Sequence, residues 1–341
     1  MQQANTLKKA YLRHAIMGIS VSDIKAPIAT ELEVFEKMFR GSMKTSVPLL
    51  DTIMNYIVRR KGKQVRPMFV LYSAALFGPI GDRTYRGASL VELLHTATLV
   101  HDDVVDDSYQ RRGFFSINAL WKNKIAVLVG DFLLSKGLLL AVENKDYDLL
   151  EILSNAVREM SEGELLQLER ARFMDVTEEV YFEIIRKKTA SLIASCCAIG
   201  AASNNNSSEI IQKMRRFGEL IGLAFQIRDD LFDFGDNKSG KPAGIDIKEK
   251  KLTLPLIYAF SQCSGSEVRR IKTLIRSKTP DKKKIAEVVE FINQYGGLVY
   301  ARNKMTELKN EAFALLEQTA EPGKRREDLL KLVNFVIERE Q

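Results

Sequence analysis

Apolar residues recur every three to four positions along almost the whole chain, a spacing that places them on one face of an α-helix. No run alternates apolar and polar residues as a half-buried β-strand would. The predicted helices cover residues 25–43, 46–60, 66–77, 83–106, 117–141, 146–172, 177–202, 206–233, 252–262, 265–275, 281–318 with a break near Gly296, and 325–340. The pattern therefore predicts an all-α fold.

A chain of 341 residues is long enough for two domains, but no linker divides this one. The stretches that contain glycine and proline, 77–84 and 234–246, have the length of ordinary loops. We therefore expect one domain over residues 1–341, in which residues 1–24 form a peripheral N-terminal segment.

Negative charge is concentrated at two points where long apolar patterns end. The segments "HDDVVDD" (101–107) and "RDDLFDF" (228–234) share the pattern Asp-Asp-x-x-Asp. The first aspartate cluster is Asp102, Asp103 and Asp106, and the second aspartate cluster is Asp229, Asp230 and Asp233. Residues three and four apart share a helix face, so each cluster projects carboxylates across one turn.

Both clusters call for a compensating cation. Like charges repel at this spacing, and the helix dipole disfavours anions at a C-terminus. Mg²⁺ fits because it is a hard cation that takes oxygen ligands and is commonly shared between carboxylates and substrate phosphates. A single acidic run is more often a solvated helix face, but two such runs on apolar helices favour a metal site.

Basic residues accompany the clusters and suit the binding of two diphosphates. Each one alone would be interpreted as a surface residue, and only the set as a whole suggests a site. The set is Lys63 and Arg66 in "KGKQVRP", Arg111 and Arg112 after the first cluster, Lys188 beside Thr189 in "RKKTA", and Lys241 after the second cluster.

Net charge, cysteine content and hydropathy restrict the possible partners and the cellular compartment. The net charge of +7 comes without a nucleic-acid-binding motif, which leaves an anionic substrate or at most a peripheral contact with an anionic membrane surface. Three cysteines without metal-ligand spacing indicate a reducing compartment, and the N-terminus lacks the apolar core of a signal peptide, so we expect a cytoplasmic protein. The most apolar region, 125–142, is interrupted by Asp131 and Lys136, which argues against a spanning helix.

These motifs occur together in a known family. The chain resembles the trans-type polyprenyl diphosphate synthases, long-chain octaprenyl-like members included, over roughly residues 25 to 340. "LLHTATLVHDDVVDDSYQRRG" and "FQIRDDLFDFGDNKSGKPAGIDIKEKKLTLP" look like its two aspartate-rich regions, and "KGKQVRP", "GELLQL" and "KKTASL" match other segments in order. One departure is visible: the family often reads Gly-Gly-Lys-Arg-x-Arg-Pro, whereas this chain has Lys61 and Gln64 at two of those positions.

The resemblance implies a helical bundle around a central cavity, with the two clusters facing each other across its mouth. All six aspartates would hold Mg²⁺, or Mn²⁺ in its place, on the diphosphate of an allylic substrate. The same diphosphate would contact Arg111, Lys188 and Lys241, with Thr189 and Gln226 beside it. Isopentenyl diphosphate would be held by Lys63, Arg66, Arg112 and His95, although spacing alone would make His95 a core histidine.

In the implied reaction the allylic carbon–oxygen bond breaks and diphosphate leaves, the isopentenyl double bond attacks the allylic cation, and loss of a proton to the departed diphosphate completes the step. Short-chain members of the family carry an aromatic residue one turn before the first cluster, where this chain has Ala97 and Thr98. The floor of the pocket should therefore lie lower, at Leu94, Val91 or Phe132. We expect a long all-trans product of about 30 to 45 carbons, given the extra helical turns of depth, suited to a quinone side chain.

Other functions fit parts of the pattern. A short-chain farnesyl or geranylgeranyl diphosphate synthase shares every motif but the depth of the pocket. A class I terpene cyclase or head-to-head condensing enzyme has no need of a second diphosphate site for elongation. A non-catalytic subunit of a heteromeric synthase would be expected to lose metal aspartates.

The family usually forms homodimers, and residues 119–142 are either an interface helix or a central core helix.

Overall fold

The computed structural model describes residues 20–60, 62–111, 113–174, 176–234, 245–249, 251–276 and 282–338. The fold is all-α, as the apolar spacing predicts. The helices are α1 (Val21–Lys25), α2 (Ala29–Ser42), α3 (Pro48–Arg59), α4 (Val65–Ala75), α5 (Asp82–Val105), α6 (Ile117–Glu143), α7 (Tyr147–Phe173), α8 (Glu178–Ile185), α9 (Ser191–Ala202), α10 (Ser208–Phe232), α11 (Ile245–Lys248), α12 (Leu254–Ser261), α13 (Gly265–Arg276), α14 (Lys282–Gln294), α15 (Gly297–Thr319) and α16 (Lys324–Glu338).

Three local features differ from the sequence prediction or refine it. A two-stranded antiparallel pair, β1 (Gln110–Arg111) and β2 (Phe114–Phe115), follows α5, and it is too short to give an alternating pattern. The helix predicted over 177–202 is interrupted by a π-helical turn, Arg186–Ala190, which we call the π turn. The break predicted near Gly296 is confirmed, because this glycine adopts a φ of +74° that ends α14 and lets α15 begin.

The described residues form two compact units, and the expectation of a single domain stays a prediction. The first unit draws on Met1–Ser154, Ser195–Arg215 and Thr319–Leu332, and the second unit draws on Asn155–Ala194, Arg216–Gln318 and Val333–Gln341. The first aspartate cluster belongs to the first unit and the second aspartate cluster to the second unit.

The core of the first unit includes an apolar cluster formed by α3, α5 and α6, which we call the α3–α5–α6 cluster. Its buried members include Met54 on α3, Leu93, Ala97 and Val100 on α5, and Leu133 on α6. Burial of these side chains contributes about 25 cal/mol to the free energy of folding for each Å² of apolar surface removed from water. The cluster lies directly before the end of α5 that carries the first aspartates, so it anchors their helix.

Helix α6 presents one face to this cluster and another to solvent. Among the described residues, it alone is long and apolar enough to span a bilayer, and 33% of its most apolar window is buried. The charges of Asp131 and Lys136, which the sequence analysis takes as evidence against a spanning helix, therefore do not exclude one by composition. The packing of α6 gives it a place in the core: a Cβ on Gly137 would lie 2.9 Å from Leu94 Cδ1 of α5.

In the second unit, the π turn is enclosed by two helices that approach it at glycines. A Cβ on Gly163 of α7 would lie 2.8 Å from the Lys188 backbone nitrogen. A Cβ on Gly222 of α10 would lie 2.4 Å from Ala190 Cα. Only glycine allows backbones this close, so the sequence fixes the π turn between α7 and α10.

Candidate active site

The first aspartate cluster lies at the C-terminal end of α5, where the periodicity predicts it. Asp102 and Asp106 are exposed, and Asp106 caps the helix. Asp103 is buried, and its backbone oxygen accepts hydrogen bonds from the Ser108 amide at 2.9 Å and the Asn118 side chain at 3.0 Å. The first and third carboxylates of the cluster thus point to solvent, while the middle one is held by the protein.

The strand pair explains how Asp103 is balanced. Arg111 on β1 donates from Nε to Asp103 Oδ1 at 2.8 Å. Gly113, with a φ of +79°, allows the turn that pairs Arg111 with Phe114. Arg111, which the resemblance assigns to the allylic diphosphate, therefore contacts a cluster aspartate. Its neighbour Arg112 lies outside the described residues.

The residues assigned to isopentenyl diphosphate lie in the first unit around the start of α4 and on α5. Lys63 is exposed just before α4, and Arg66 occupies its first turn. The N-terminus of a helix attracts anions through its unpaired amides and dipole, so these cations flank a favourable phosphate position. His95 is buried on α5, seven residues before Asp102.

Gln64 precedes α4 in a left-handed conformation with a φ of 61°. Its side-chain oxygen accepts a hydrogen bond from Lys25 at 2.7 Å, and its nitrogen donates to Glu36 at 3.0 Å. Where the family often has an arginine, this chain therefore has an amide that ties the start of α4 to α1 and α2.

The second aspartate cluster lies at the C-terminal end of α10, again as predicted. Asp229 is exposed, and Asp233 follows the helix in a half-buried position. Asp230 is buried, and both of its carboxylate oxygens are occupied: Tyr181 donates to Oδ2 at 2.6 Å and Gln226 donates to Oδ1 at 2.9 Å. Burial raises the pKa of Asp230 to about 7, although the two hydrogen bonds lower it.

Two functional candidates in this unit are missing from the sequence analysis. Tyr181 on α8 is one, since its hydroxyl reaches Asp230. Asp246 on α11 is the other, because its backbone amide donates to Asp233 Oδ2 at 3.0 Å. Burial and the nearby charge of Asp233 raise the pKa of Asp246 to about 6. The sequence signal for Asp246 is its acidic side chain close after the second cluster, within "GID".

Lys188 and Thr189 lie in the π turn, and π-helical turns are frequent at functional sites. Lys188 forms an ion pair with Glu164 at 2.5 Å and donates to Gln167 at 3.2 Å. Thr189 donates to Gln226 at 2.9 Å. The structure thus joins Thr189 and Gln226, which the resemblance assigns to the allylic site, to Asp230. Lys241 lies outside the described residues.

The candidate chain-length residues lie in the first unit. Ala97 is a buried member of the α3–α5–α6 cluster, and Phe132 packs against that cluster. Thr98 is half-buried and donates its hydroxyl to the His95 carbonyl at 2.9 Å. On α5 the cluster neighbours of Ala97 are Leu93 and Val100, while Leu94 packs at Gly137 of α6.

The carboxylates suit Mg²⁺ or Mn²⁺ by their chemistry. Asp102, Asp106 and Asp229 offer exposed oxygen ligands, which hard divalent cations prefer. In the described part of the chain, no three or more His, Cys, Asp or Glu side chains form a ready-made cage for an ion. This arrangement suits an ion that keeps waters and takes further ligands from substrate phosphates, as Mg²⁺ usually does.

Known proteins share this architecture. Residues 47–292 match the polyprenyl synthetase family. The all-trans-nonaprenyl-diphosphate synthase (geranyl-diphosphate specific) of Rhodobacter capsulatus is 35% identical over 322 residues, which cover 94% of this chain and 98% of the relative. A short chain isoprenyl diphosphate synthase of Methanothermobacter thermautotrophicus is 35% identical over 318 residues, 90% of this chain and 96% of the relative.

A solved structure agrees with these relatives. The crystal structure of polyprenyl synthase from Caulobacter crescentus, complexed with calcium and isoprenyl diphosphate, has a TM-score of 0.83 and 33% identity, covering 94% of this chain and 98% of that one. An all-α chain with two helices that end in aspartate clusters is the architecture of a helical prenyltransferase. The chain belongs to the polyprenyl synthetase family and is an enzyme of that transferase class.

Proposed function

We propose that this prenyltransferase adds isopentenyl diphosphate units head-to-tail to an allylic diphosphate and depends on Mg²⁺. The observation that carries the proposal is the pair of aspartate clusters, each of which exposes its first carboxylate at a helix C-terminus. A relative that is 33% identical was crystallised with calcium and isoprenyl diphosphate, which supports a divalent ion and a prenyl diphosphate for this chain.

The chain's own residues have distinct tasks in this reaction. The exposed aspartates would hold Mg²⁺, which neutralises charge on the departing diphosphate when it is bound. Lys63 and Arg66, at the start of α4, would hold the diphosphate of isopentenyl diphosphate. This second anion site favours elongation over a terpene cyclase, and the six aspartates present argue against a non-catalytic subunit.

Lys188 must change partners to reach a diphosphate. Its side chain is 36% exposed and that of Glu164 is 43% exposed. An exposed pair of this kind contributes at most about 1 kcal/mol. A charge-assisted hydrogen bond to a phosphate is stronger than that, so the exchange is favourable. Apolar walls would protect the allylic cation from water.

We propose a long all-trans product, of about 30 to 45 carbons given the turns of depth below the first cluster, used in a quinone side chain. The small, buried Ala97 supports this length, as does the name of the Rhodobacter relative. The alternative is a short-chain product, which the Methanothermobacter relative favours.

The test is incubation with farnesyl diphosphate and excess isopentenyl diphosphate, followed by mass spectrometry of the dephosphorylated products. A wild-type product that stops at roughly 15 or 20 carbons, the depth of a pocket closed one turn down, would establish the short-chain alternative. No elongation of any allylic primer with Mg²⁺ present would refute the proposed reaction.

We also propose a cytoplasmic homodimer that associates through the outer face of α6. Large apolar side chains are exposed along this face, among them Leu128 at 56% and Leu139 at 51%. A surface helix that exposes several large apolar side chains favours a protein partner. Light scattering should show a dimer for wild type, a monomer for Leu128→Lys, and a dimer for the control Val299→Lys, which changes an exposed valine on α15.

A further inference from the structure

Tyr181 is a buried polar residue that the proposed chemistry does not use directly. It lies on α8 with 4% of its surface exposed, and its hydroxyl donates to Asp230 Oδ2 at 2.6 Å. Asp230 is itself 5% exposed. Burying a carboxylate is costly unless it is hydrogen-bonded, and an apolar pair of the same shape would serve stability as well. The arrangement therefore needs a reason other than stability.

The hydrogen bonds of Asp230 continue to the π turn. Gln226, one helical turn before Asp230 on α10, donates to Oδ1 of the carboxylate at 2.9 Å. The amide oxygen of Gln226 accepts from Thr189 at 2.9 Å. Thr189 is the next residue after Lys188 in the π turn. One chain of hydrogen bonds thus runs from Tyr181 to the segment that carries Lys188.

The direction of this chain is set by its donors. The ionised carboxylate of Asp230 only accepts, so Tyr181 and the Gln226 amino group donate to it, and the Gln226 oxygen is left to accept from Thr189. With Asp230 ionised, each of these polar atoms therefore has one role. Asp229, directly before Asp230 in α10, is exposed and takes its position from the helix that this network holds.

We infer that Tyr181 is a positioning residue: through Asp230, Gln226 and Thr189 its hydroxyl holds the second aspartate cluster and the π turn in the geometry that binds a metal-bound diphosphate. This inference rests on the proposed function, because it assumes that the second cluster binds a divalent ion. It adds a residue, and a role for the middle aspartate, that the sequence motif does not contain.

The test compares two tyrosines in the same unit whose hydroxyls each donate to a carboxylate, one inside the second aspartate cluster and one outside it. Tyr181→Phe removes the hydroxyl bonded to Asp230. The matched control is Tyr300→Phe, which removes a hydroxyl that donates at 2.6 Å to the carboxylate of Glu178, a residue outside the second aspartate cluster. Circular dichroism and melting curves establish that both variants fold.

Metal binding is measured without turnover. Free Mn²⁺ is counted by electron paramagnetic resonance during titration of each protein with Mn²⁺ at a fixed concentration of inorganic diphosphate. Loss of a residue that orients metal ligands typically weakens metal affinity about 10- to 100-fold. We expect a loss of at least about tenfold for Tyr181→Phe and wild-type affinity for Tyr300→Phe. In steady-state kinetics, KM for the allylic diphosphate should rise while KM for isopentenyl diphosphate stays constant.

A double-mutant cycle tests whether Tyr181 acts through Asp230. In an Asp230→Asn background, Tyr181→Phe should change Mn²⁺ affinity less than about twofold. Thr189→Val, which breaks the other end of the network, should also weaken Mn²⁺ binding.

Three results would overturn the inference: wild-type Mn²⁺ affinity in Tyr181→Phe, equal losses in Tyr181→Phe and Tyr300→Phe, or a full additional loss in the Asp230→Asn background. Wild-type protein that binds no Mn²⁺ with diphosphate would refute the proposed metal dependence and remove the basis of the inference as well.

Discussion

Replacing Ala97 by phenylalanine should shorten the product. Ala97 lies five residues before Asp102 on α5, which is about 7.5 Å along the helix axis. It is buried in the α3–α5–α6 cluster, where a benzyl group has no route to solvent. If the growing chain passes this cluster, the new ring closes its path one to two turns below the aspartates.

A second variant tests whether the depth of the introduced ring sets the length of the product. Leu93 is a member of the same cluster and lies four residues further from Asp102, about 6 Å along the axis. The four-bond repeat of an extended isoprene unit is about 5 Å long at standard carbon–carbon bond lengths. Leu93→Phe should therefore give a product about one isoprene unit longer than that of Ala97→Phe, and both should be shorter than the wild-type product.

The loss of stability expected in these phenylalanine variants can be estimated. Overpacking a core typically costs about 1–3 kcal/mol. In a chain of this size each kcal/mol lowers Tm by roughly 2 °C. Product lengths should therefore be measured by mass spectrometry well below the melting transition of every variant, with initial rates recorded so that a slow enzyme is not mistaken for a short-chain one.

The control is Leu94→Phe, which places the same ring next to Leu93 in sequence but at Gly137 of α6. Its product should keep the wild-type length. If Leu94→Phe shortens the product and Leu93→Phe does not, the floor lies where the sequence alone predicts it. An unchanged product in Ala97→Phe would refute the argument that the chain grows past this cluster.

Further predictions concern metal and charge. Excess EDTA should abolish condensation and added Mg²⁺ or Mn²⁺ should restore it, because the carboxylates need a cation to hold diphosphates; full turnover in EDTA would contradict this. Asp102→Ala or Asp229→Ala should lower kcat by orders of magnitude while Tm is kept or rises as repulsion falls, and a large drop in Tm with activity retained would make these residues structural. Lys63→Ala should chiefly raise KM for isopentenyl diphosphate and Lys188→Ala that for the allylic substrate, and the reverse pattern in steady-state kinetics would overturn both assignments.

The helices and the positions of both clusters could be predicted because they depend on local periodicity. α5 and α10 end at their aspartates because the apolar pattern ends there and polar residues follow. The π turn could not be predicted from local periodicity, because the residues packed closest against it, Gly163 and Gly222, lie on two other helices. Similarly, Tyr181 looks like an ordinary residue of an amphipathic helix until the fold places Asp230 beside it.

The middle aspartate of each cluster has a different environment from its neighbours, although the motif suggests three equivalent carboxylates. Asp-Asp-x-x-Asp suggests three similar carboxylates, since all lie within one turn. A helix turns by about 100° per residue, so adjacent aspartates cannot share one direction when one side of the helix is buried. Asp103 and Asp230 therefore face the protein while Asp102 and Asp229 face solvent.

The difference between exposed and buried residues also separates the contacts that a diphosphate should replace from the contacts that should persist when it binds. The pair of Lys188 with Glu164 is exposed on both sides and can be given up for a diphosphate at a cost of at most about 1 kcal/mol. The bond of Tyr181 to Asp230 is buried on both sides, and leaving that carboxylate without its donor would cost about 1–3 kcal/mol or more. Substrate binding should consequently rearrange the exposed cation and leave the buried tyrosine where it is. We therefore expect the second unit to accept a diphosphate while the second aspartate cluster keeps its geometry.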